Sequence, residues 1–132
     1  MNPEELLYAK THEWVRVEDQ DGGKLAVVGL SAFALEALTD LVYIELPEVD
    51  RQVAVGESFG EIESVKAVSD LYAPVTGDIV DVNTELPDRI ESLGDDPYDT
   101  GWIIKIRITD ESGLGELMDH TAYQKQCEEE GD

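Results

Sequence analysis

The sequence is poor in basic residues. Its 132 residues include 31 Asp and Glu but only nine Lys and Arg, which gives a formal net charge of −22. Such a charge repels nucleic acid and anionic membrane surfaces at long range, so neither is an expected partner. The negative charge instead favours binding to proteins that carry basic surface patches. The rate of such association falls as the salt concentration rises. A simpler interpretation of most of the acids is that they keep the protein soluble.

Cysteine and histidine are also scarce. Cys127 is the only cysteine, so no intramolecular disulfide can form, and the composition suits a reducing compartment. His12 and His120 lie far apart in the chain, and no Cys/His cluster has the spacing of a metal site. Because no nucleophile–base pair or phosphate-binding loop is present either, we expect neither a bound metal nor enzymatic activity.

Long apolar runs are absent as well. No run approaches the ~18 residues that span a bilayer, so no membrane association is expected. The first residues lack a basic stretch followed by an apolar one, and they include Glu4 and Glu5. We therefore expect no secretory signal and no Arg-rich transit peptide. The expected location is the bacterial cytoplasm, and a mature form in the mitochondrial matrix is the alternative.

The sequence is rich in short segments in which apolar and polar residues alternate, separated by Gly, Pro and Asp. This pattern is typical of strands joined by tight turns. Strands or extended segments are predicted at 11–18, 24–29, 40–46, 52–55, 59–65, 67–72, 78–82 and 102–108. The pattern predicts a mainly β fold, a flattened barrel or sandwich.

Two helices complete the predicted fold. A short helix after the second predicted strand begins at Ser31, whose hydroxyl can cap it, and a C-terminal helix begins with the capping pattern of Thr121 to Gln124. The first seven residues are expected to form coil or a helical turn. We expect one domain, 1–132, with a β core at about 8–108 and a helical segment at about 111–130.

Lys66 is the only basic residue between Arg51 and Arg89. The same interval contains eight acids: Glu57, Glu61, Glu63, Asp70, Asp78, Asp81, Glu85 and Asp88. Lys66 lies between two predicted strands, where a hairpin turn places it at the tip. The simplest interpretation is a solvated lysine without a special function. A catalytic lysine needs a lowered pKa, which the nearby acids oppose, whereas an amine at a rigid tip suits covalent modification.

The sequence around Lys66 resembles the lipoylation segment of glycine cleavage system H proteins. The similar segments are 60–77 (GEIESVKAVSDLYAPVTG), 12–14 (HEW), 42–49 (VYIELPEV), 96–98 (DPY) and 101–106 (GWIIKI). Together they cover nearly the whole chain, from about Tyr8 to the C-terminal helix. The ESVKA core differs from the DKA typical of lipoyl domains of 2-oxo-acid dehydrogenases and from the MKM typical of biotin carriers.

The resemblance implies a hybrid barrel of the lipoyl/biotinyl-domain type with (R)-lipoate attached covalently to Lys66. Glu63, Ser64, Val65 and Ala67 would then be the residues recognised by the lipoate-attaching enzyme. The implied protein is a carrier and not an enzyme. It would take the aminomethyl group from a pyridoxal-phosphate glycine decarboxylase (P protein) to a tetrahydrofolate-dependent aminomethyltransferase (T protein). It would then be reoxidised by dihydrolipoamide dehydrogenase (L protein).

The resemblance also implies a surface cleft for the loaded arm, formed by Thr11, Glu13 and Asp70. A cationic amine seeks a carboxylate, and exclusion of water protects an aminomethyl group from hydrolysis. Without the resemblance, Glu13 has a simpler interpretation as a solvated acid on an edge strand that discourages aggregation.

Two other functions stay open, and the sequence departs from the family at several turns. An H-like protein can donate lipoyl groups to other lipoate-dependent complexes, which needs no cleft, and an unmodified acidic adaptor would not need Lys66. Thr39 and Asp50 stand where the family commonly has glycine, and Asp tolerates left-handed backbone better than Thr. The 87–93 loop also differs, so these turns are expected to alter loop shape or docking.

Overall fold

The computed structural model describes residues 6–20, 23–38, 40–65, 67–88, 90, 93, 98, 101–110, 115 and 117–131. The elements whose bounds lie within these ranges are nine strands, two α-helices and one 3-10 turn. The strands are β1 Leu7–Tyr8, β2 Glu13–Gln20, β3 Gly23–Leu30, β4 Leu41–Glu45, β5 Gln52–Val53, β6 Ser58–Ser64, β7 Val68–Tyr72, β8 Thr76–Val82 and β9 Ile104–Asp110. The helices are α1 Ala32–Leu38 and α2 His120–Gly131, and the 3-10 turn is Leu86–Asp88.

The strands form two antiparallel sheets. One has six strands in the order β1-β2-β3-β9-β8-β5, and the other has three in the order β4-β6-β7. Fully buried side chains from both sheets, such as Val28, Ile44, Ile62 and Ile106, pack in one core. The predicted mainly β sandwich or flattened barrel with a C-terminal helix is therefore confirmed.

A second apolar cluster lies on the other side of β2, beneath α2. Val15 belongs to the main core, whereas Trp14 packs with Tyr8, Tyr123 and Cys127 in the second cluster. This division follows from the alternation of side chains along a strand. Both faces of β2 near its start are therefore covered by protein.

The observed ends of several elements differ from the predicted ones. Leu7 and Tyr8 form a strand that pairs with β2, although coil or a helical turn was expected up to Leu7. The predicted cap of α1 is confirmed, since Ala34 N–H donates to Ser31 Oγ over 3.3 Å. The predicted cap of α2 is wrong, because α2 begins one residue before Thr121.

The cap of α2 is the carboxylate of Asp119. Its Oδ1 accepts a hydrogen bond from the Ala122 N–H at 2.8 Å. A carboxylate satisfies a free amide of the first turn, and its charge also favours the positive end of the helix dipole. Asp119 therefore fills the role that the sequence pattern assigned to Thr121.

Asp50 has a left-handed φ of 75°, a conformation that Asp tolerates better than most residues. Asp40 also has a positive φ, of 30°. Thr39 and residues 89, 91 and 92 of the 87–93 loop lie outside the described residues. Within the described ranges, no helix combines the length and apolar character needed to cross a membrane.

Candidate functional site

The turn between β6 and β7 is held by its own hydrogen bonds. Ser64 N–H donates to the Ala67 carbonyl at 2.8 Å, and Ala67 N–H donates to Ser64 Oγ at 3.1 Å. Val65 N–H donates to the Asp40 carbonyl at 3.0 Å, which ties the turn to the start of β4. Lys66 itself lies outside the described residues. The backbone on both sides of it is therefore fixed by hydrogen bonds.

The predicted recognition residues differ in exposure. Ser64 is buried and Glu63 is half-buried, whereas Ala67 is exposed and Val65 is 74% exposed. Val68, just after the turn, is also exposed. Apolar surface next to the turn is accessible to another protein, and Ser64 acts by shaping the turn.

Glu13 is buried at the start of β2, with a relative exposure of 0%. The Thr11 hydroxyl donates to Glu13 Oε1, and Tyr72 N–H donates to Glu13 Oε2 over 3.4 Å. Burial raises the pKa of Glu13 from its usual 4.5 to about 7, although both hydrogen bonds lower it. The simpler interpretation of Glu13 as a solvated edge-strand acid is therefore wrong.

A cleft of about 630 Å³ opens beside this carboxyl group. Thr11 and Tyr72, the two residues that hydrogen-bond Glu13, both line it, as do the apolar side chains of Val55, Pro74 and Leu117. Lys10 lines the cleft as well. The buried carboxyl group of Glu13 thus lies behind the cleft wall, hydrogen-bonded to two of the residues that form it.

Asp70 lies on β7, two residues before Tyr72. It is exposed on β7, and its carboxylate accepts a hydrogen bond from the Tyr72 hydroxyl at 3.3 Å. The charge of Asp70 raises the pKa of Tyr72. Tyr72 therefore connects Asp70 with Glu13, through its side chain at one end and its backbone at the other.

Tyr72 was not recognised from the sequence as a site residue. The available signal was its spacing of two from Asp70, because residues i and i+2 of a strand share a face. An aromatic residue at this spacing is common in strands, so the signal carried little weight without the cleft.

Strand β7 connects the turn with the cleft. Val68 begins β7 beside the turn, and Tyr72 ends it in the cleft wall. At about 3.3 Å per residue, the strand covers roughly 13 Å between them. A group attached at the turn has to reach about this far to place its end at the cleft.

Three carboxylates lie side by side across the three-stranded sheet. Glu45 pairs with Glu61, and Glu61 pairs with Asp70. Like charges directly opposite each other in a sheet repel, so this row is unfavourable in the isolated protein. A basic surface of another protein would relieve the repulsion. Among the described residues, no group of three or more His, Cys, Asp and Glu could hold a metal ion.

The chain matches known proteins over nearly its whole length. The sequence model of the family described as "Glycine cleavage H-protein" matches residues 6–130. The glycine cleavage system H protein of Rhodopirellula baltica is 56% identical over 131 residues, which cover 98% of each chain. The H protein of Carboxydothermus hydrogenoformans is 45% identical over 130 residues, covering 98% of this chain and 97% of the other.

A solved structure agrees with these matches. The crystal structure of a glycine cleavage system H protein from Mycobacterium marinum superposes with a TM-score of 0.85 and is 41% identical. The superposition covers 95% of this chain and 98% of the other. Fold and sequence thus agree along the same span. The chain belongs to the glycine cleavage H-protein family.

Proposed function

We propose that this chain is the lipoyl carrier of a glycine cleavage system, with (R)-lipoate attached as an amide to Lys66. The chain itself performs no catalysis. The observation that carries this proposal is that β7 runs from the hydrogen-bonded turn next to Lys66 to the cleft in front of buried Glu13. The proposed attachment point and the proposed cargo site thus lie at the two ends of one short strand.

The residues at both ends fit such a group. At the turn, Ser64 holds the backbone and the exposed Val65 and Ala67 allow access to an attaching enzyme. At the cleft, the Thr11 hydroxyl and the Tyr72 N–H, which donate hydrogen bonds to the carboxyl group of Glu13, are neutral. A buried carboxylate that accepts hydrogen bonds from neutral donors can still form an ion pair with a cation.

When bound, the lipoyl group supplies a dithiolane sulfur that accepts the aminomethyl group of glycine and a dithiol that is later reoxidised. The amine of this cargo is a cation, and Glu13 is the carboxylate that receives it. Because the pKa of Glu13 is about 7, part of this group is protonated at neutral pH in the empty cleft. Entry of a cation favours the carboxylate, so Glu13 releases its proton as the cargo binds.

The walls of the cleft protect the cargo. Val55, Pro74 and Leu117 present apolar surface, and the Thr11 hydroxyl orients one oxygen of Glu13. Exclusion of water slows hydrolysis of the aminomethyl–sulfur bond, and a low local dielectric strengthens the ion pair with Glu13. A lipoyl donor that serves other complexes has no need of this buried carboxyl group.

The proposed partners are glycine decarboxylase, the aminomethyltransferase, dihydrolipoamide dehydrogenase and a lipoate-attaching enzyme. The net charge of −22 and the row of Glu45, Glu61 and Asp70 support docking on basic surfaces. The proposed location is the bacterial cytoplasm, which is consistent with relatives from bacteria.

Intact mass spectrometry tests the attachment. After incubation with lipoate, ATP and a lipoate ligase, we expect one lipoyl increment, mapped to the peptide that contains Lys66. The product should then support glycine-dependent exchange of labelled carbon dioxide by glycine decarboxylase. No increment, or an increment at Lys10, Lys24, Lys105 or Lys125 instead, would overturn the proposal.

A further inference from the structure

The segment between β1 and β2, residues 9–12, is held in place by the C-terminal helix α2. Nδ1 of His12 lies 2.7 Å from the Tyr123 hydroxyl oxygen, and Gln126 Nε2 donates to the Lys10 carbonyl at 3.0 Å. The ring of Tyr123 also stacks on Tyr8, with 4.3 Å between ring centroids and 2° between planes. Two side chains one turn apart on α2 thus hold both halves of this segment.

The segment adopts an unfavourable backbone conformation between two cleft residues. His12 stands between Thr11 and Glu13 and has a left-handed φ of 79°. This conformation costs energy for a residue other than glycine, so neighbouring contacts must stabilise it. Ala9 N–H donates to the Glu13 carbonyl and His12 N–H donates to the Ala9 carbonyl, each at 2.9 Å. The result is a tight turn that returns the Thr11 hydroxyl to Glu13.

The Tyr123 hydroxyl joins this turn to a third element. Besides His12, it hydrogen-bonds Ser31 Oγ at the start of α1. Ser31 N–H in turn donates to the His12 carbonyl at 2.9 Å. Burial raises the pKa of Tyr123, so the hydroxyl keeps its proton at neutral pH and can act as donor and acceptor at once. His12 is therefore fixed at its ring and at its backbone.

We propose that Tyr123 is a positioning residue of the cleft: its hydroxyl holds His12 in the left-handed turn that brings the Thr11 hydroxyl onto Glu13. The effect of this role on cargo lifetime rests on the proposed function. The effect of Tyr123 on the titration of Glu13 is independent of the proposed function, because the contacts that connect the two residues lie within the unmodified protein. The C-terminal helix thereby contributes to a site that none of its own side chains lines among the described residues.

The titration of Glu13 in the full-length, unmodified protein tests this role by carboxyl NMR. In Tyr123→Phe, we expect the pKa of Glu13 to rise further above 7, because the Thr11 hydrogen bond that lowers it is loosened while the burial that raises it is retained. The matched control is Tyr98→Phe. It removes a hydroxyl from the same cluster, one that accepts a hydrogen bond from Ala32 N–H at 3.0 Å and shares another with the Tyr8 hydroxyl. Both of these partners lie outside residues 9–12. We expect the control to keep the titration of the unaltered protein.

A second variant avoids the buried cluster. Gln126→Ala removes the hydrogen bond to the Lys10 carbonyl at the surface. We expect a smaller rise of the Glu13 pKa, with the fold retained. If Tyr123→Phe does not fold, this variant decides whether α2 holds residues 9–12 in the arrangement that sets the titration of Glu13. An unchanged Glu13 titration in the folded variants would overturn the positioning role.

The second readout is the lifetime of the aminomethyl-loaded protein. We expect Tyr123→Phe to shorten it roughly threefold to tenfold, the range that corresponds to one net hydrogen bond. Combined with Thr11→Val, the effects should be less than additive, because both substitutions disturb the same contact with Glu13. Equal lifetimes of the Tyr123→Phe and Tyr98→Phe proteins would overturn the effect on cargo. Failure of lipoylation at Lys66 would defeat the proposed function, while the Glu13 titration would still decide the positioning role.

Discussion

Glu13 and Tyr72 are 59 positions apart, yet Glu13 Oε2 accepts the backbone N–H of Tyr72 over 3.4 Å. This hydrogen bond joins β2 of the six-stranded sheet to β7 of the three-stranded sheet. Its donor is a backbone group, so it survives substitution of the Tyr72 side chain. Glu13 is therefore held at one oxygen by the Thr11 hydroxyl and at the other by the opposite sheet.

Glu13→Gln should shorten the lifetime of the aminomethyl-loaded protein by roughly tenfold or more, as expected for loss of a hydrogen bond between charged groups. The rate of lipoylation should stay the same, because the attachment turn lies at the far end of β7. Hydrolytic release of the aminomethyl group, followed over time, measures the effect. Glu18→Gln is the control, since Glu18 lies on the same strand but pairs with Arg16 at 2.7 Å. An unchanged lifetime in Glu13→Gln would exclude Glu13 as the cargo ligand.

Glu13 should also make the stability of the protein depend on pH. The folded protein holds the Glu13 proton up to about pH 7, whereas the unfolded chain releases it near its usual pKa of 4.5. The folded state therefore binds more protons between these values. The resulting stabilisation is fully present below the lower pKa and is lost as pH rises through about 7.

The size of this contribution is on the order of 3 kcal/mol between the two limits. Denaturant unfolding of the unaltered protein and of Glu13→Gln at several pH values isolates the contribution of Glu13, because the two proteins have all other carboxyl groups in common. As pH rises, we expect the unfolding free energy of the unaltered protein to fall relative to that of Glu13→Gln. A constant difference from pH 4 to 8 would mean that Glu13 titrates normally.

Lys66→Arg should leave the fold intact and abolish carrier function. Arginine keeps the positive charge but does not form the lipoyl amide, so the mass increment and the exchange of labelled carbon dioxide should both disappear. Lys125→Arg on the exposed side of α2 is the matched control and should behave like the unaltered protein. Full exchange activity in Lys66→Arg would contradict the carrier proposal.

Gly60→Ala should destabilise the β6–β7 hairpin, whose turn is next to Lys66. A Cβ atom at Gly60 would collide with the backbone carbonyl oxygen of Glu45 on the neighbouring strand β4. Because a paired strand cannot move away freely, we expect a loss of about 1–3 kcal/mol in unfolding free energy. Gly23→Ala provides the comparison, since nothing lies within 4 Å of its Cβ position. Equal denaturation midpoints for the two variants would show that β4 shifts to make room for the methyl group without a loss of stability.

Local patterns predicted the strands and turns well where the deciding interaction is local. Alternation along β2 separated Val15 from Trp14, and the structure places them in different clusters. Asp50 adopts the left-handed turn that its side chain tolerates. The cap of α2 was misplaced because Thr121 and Asp119 both suit a helix start, and the pattern around Thr121 was given more weight.

The burial of Glu13 was not predictable from its neighbours in the sequence. Its position on a strand with Val15 and Val17 indicated an apolar face, but the same pattern also fits a solvated edge strand. Its carboxyl group contacts the opposite sheet, where the Tyr72 N–H donates to it. This contact depends on a distant part of the chain.

The sequence by itself determined the mainly β architecture, the turn at Lys66 and the family resemblance, because alternation, turn residues and a contiguous motif are local properties. Only the tertiary structure decided that Glu13 is buried behind a cleft, that Tyr72 joins it to Asp70 and that Tyr123 holds the turn at His12. Burial and long-range hydrogen bonds depend on which segments meet in space, and each of these contacts joins residues from different elements of the fold.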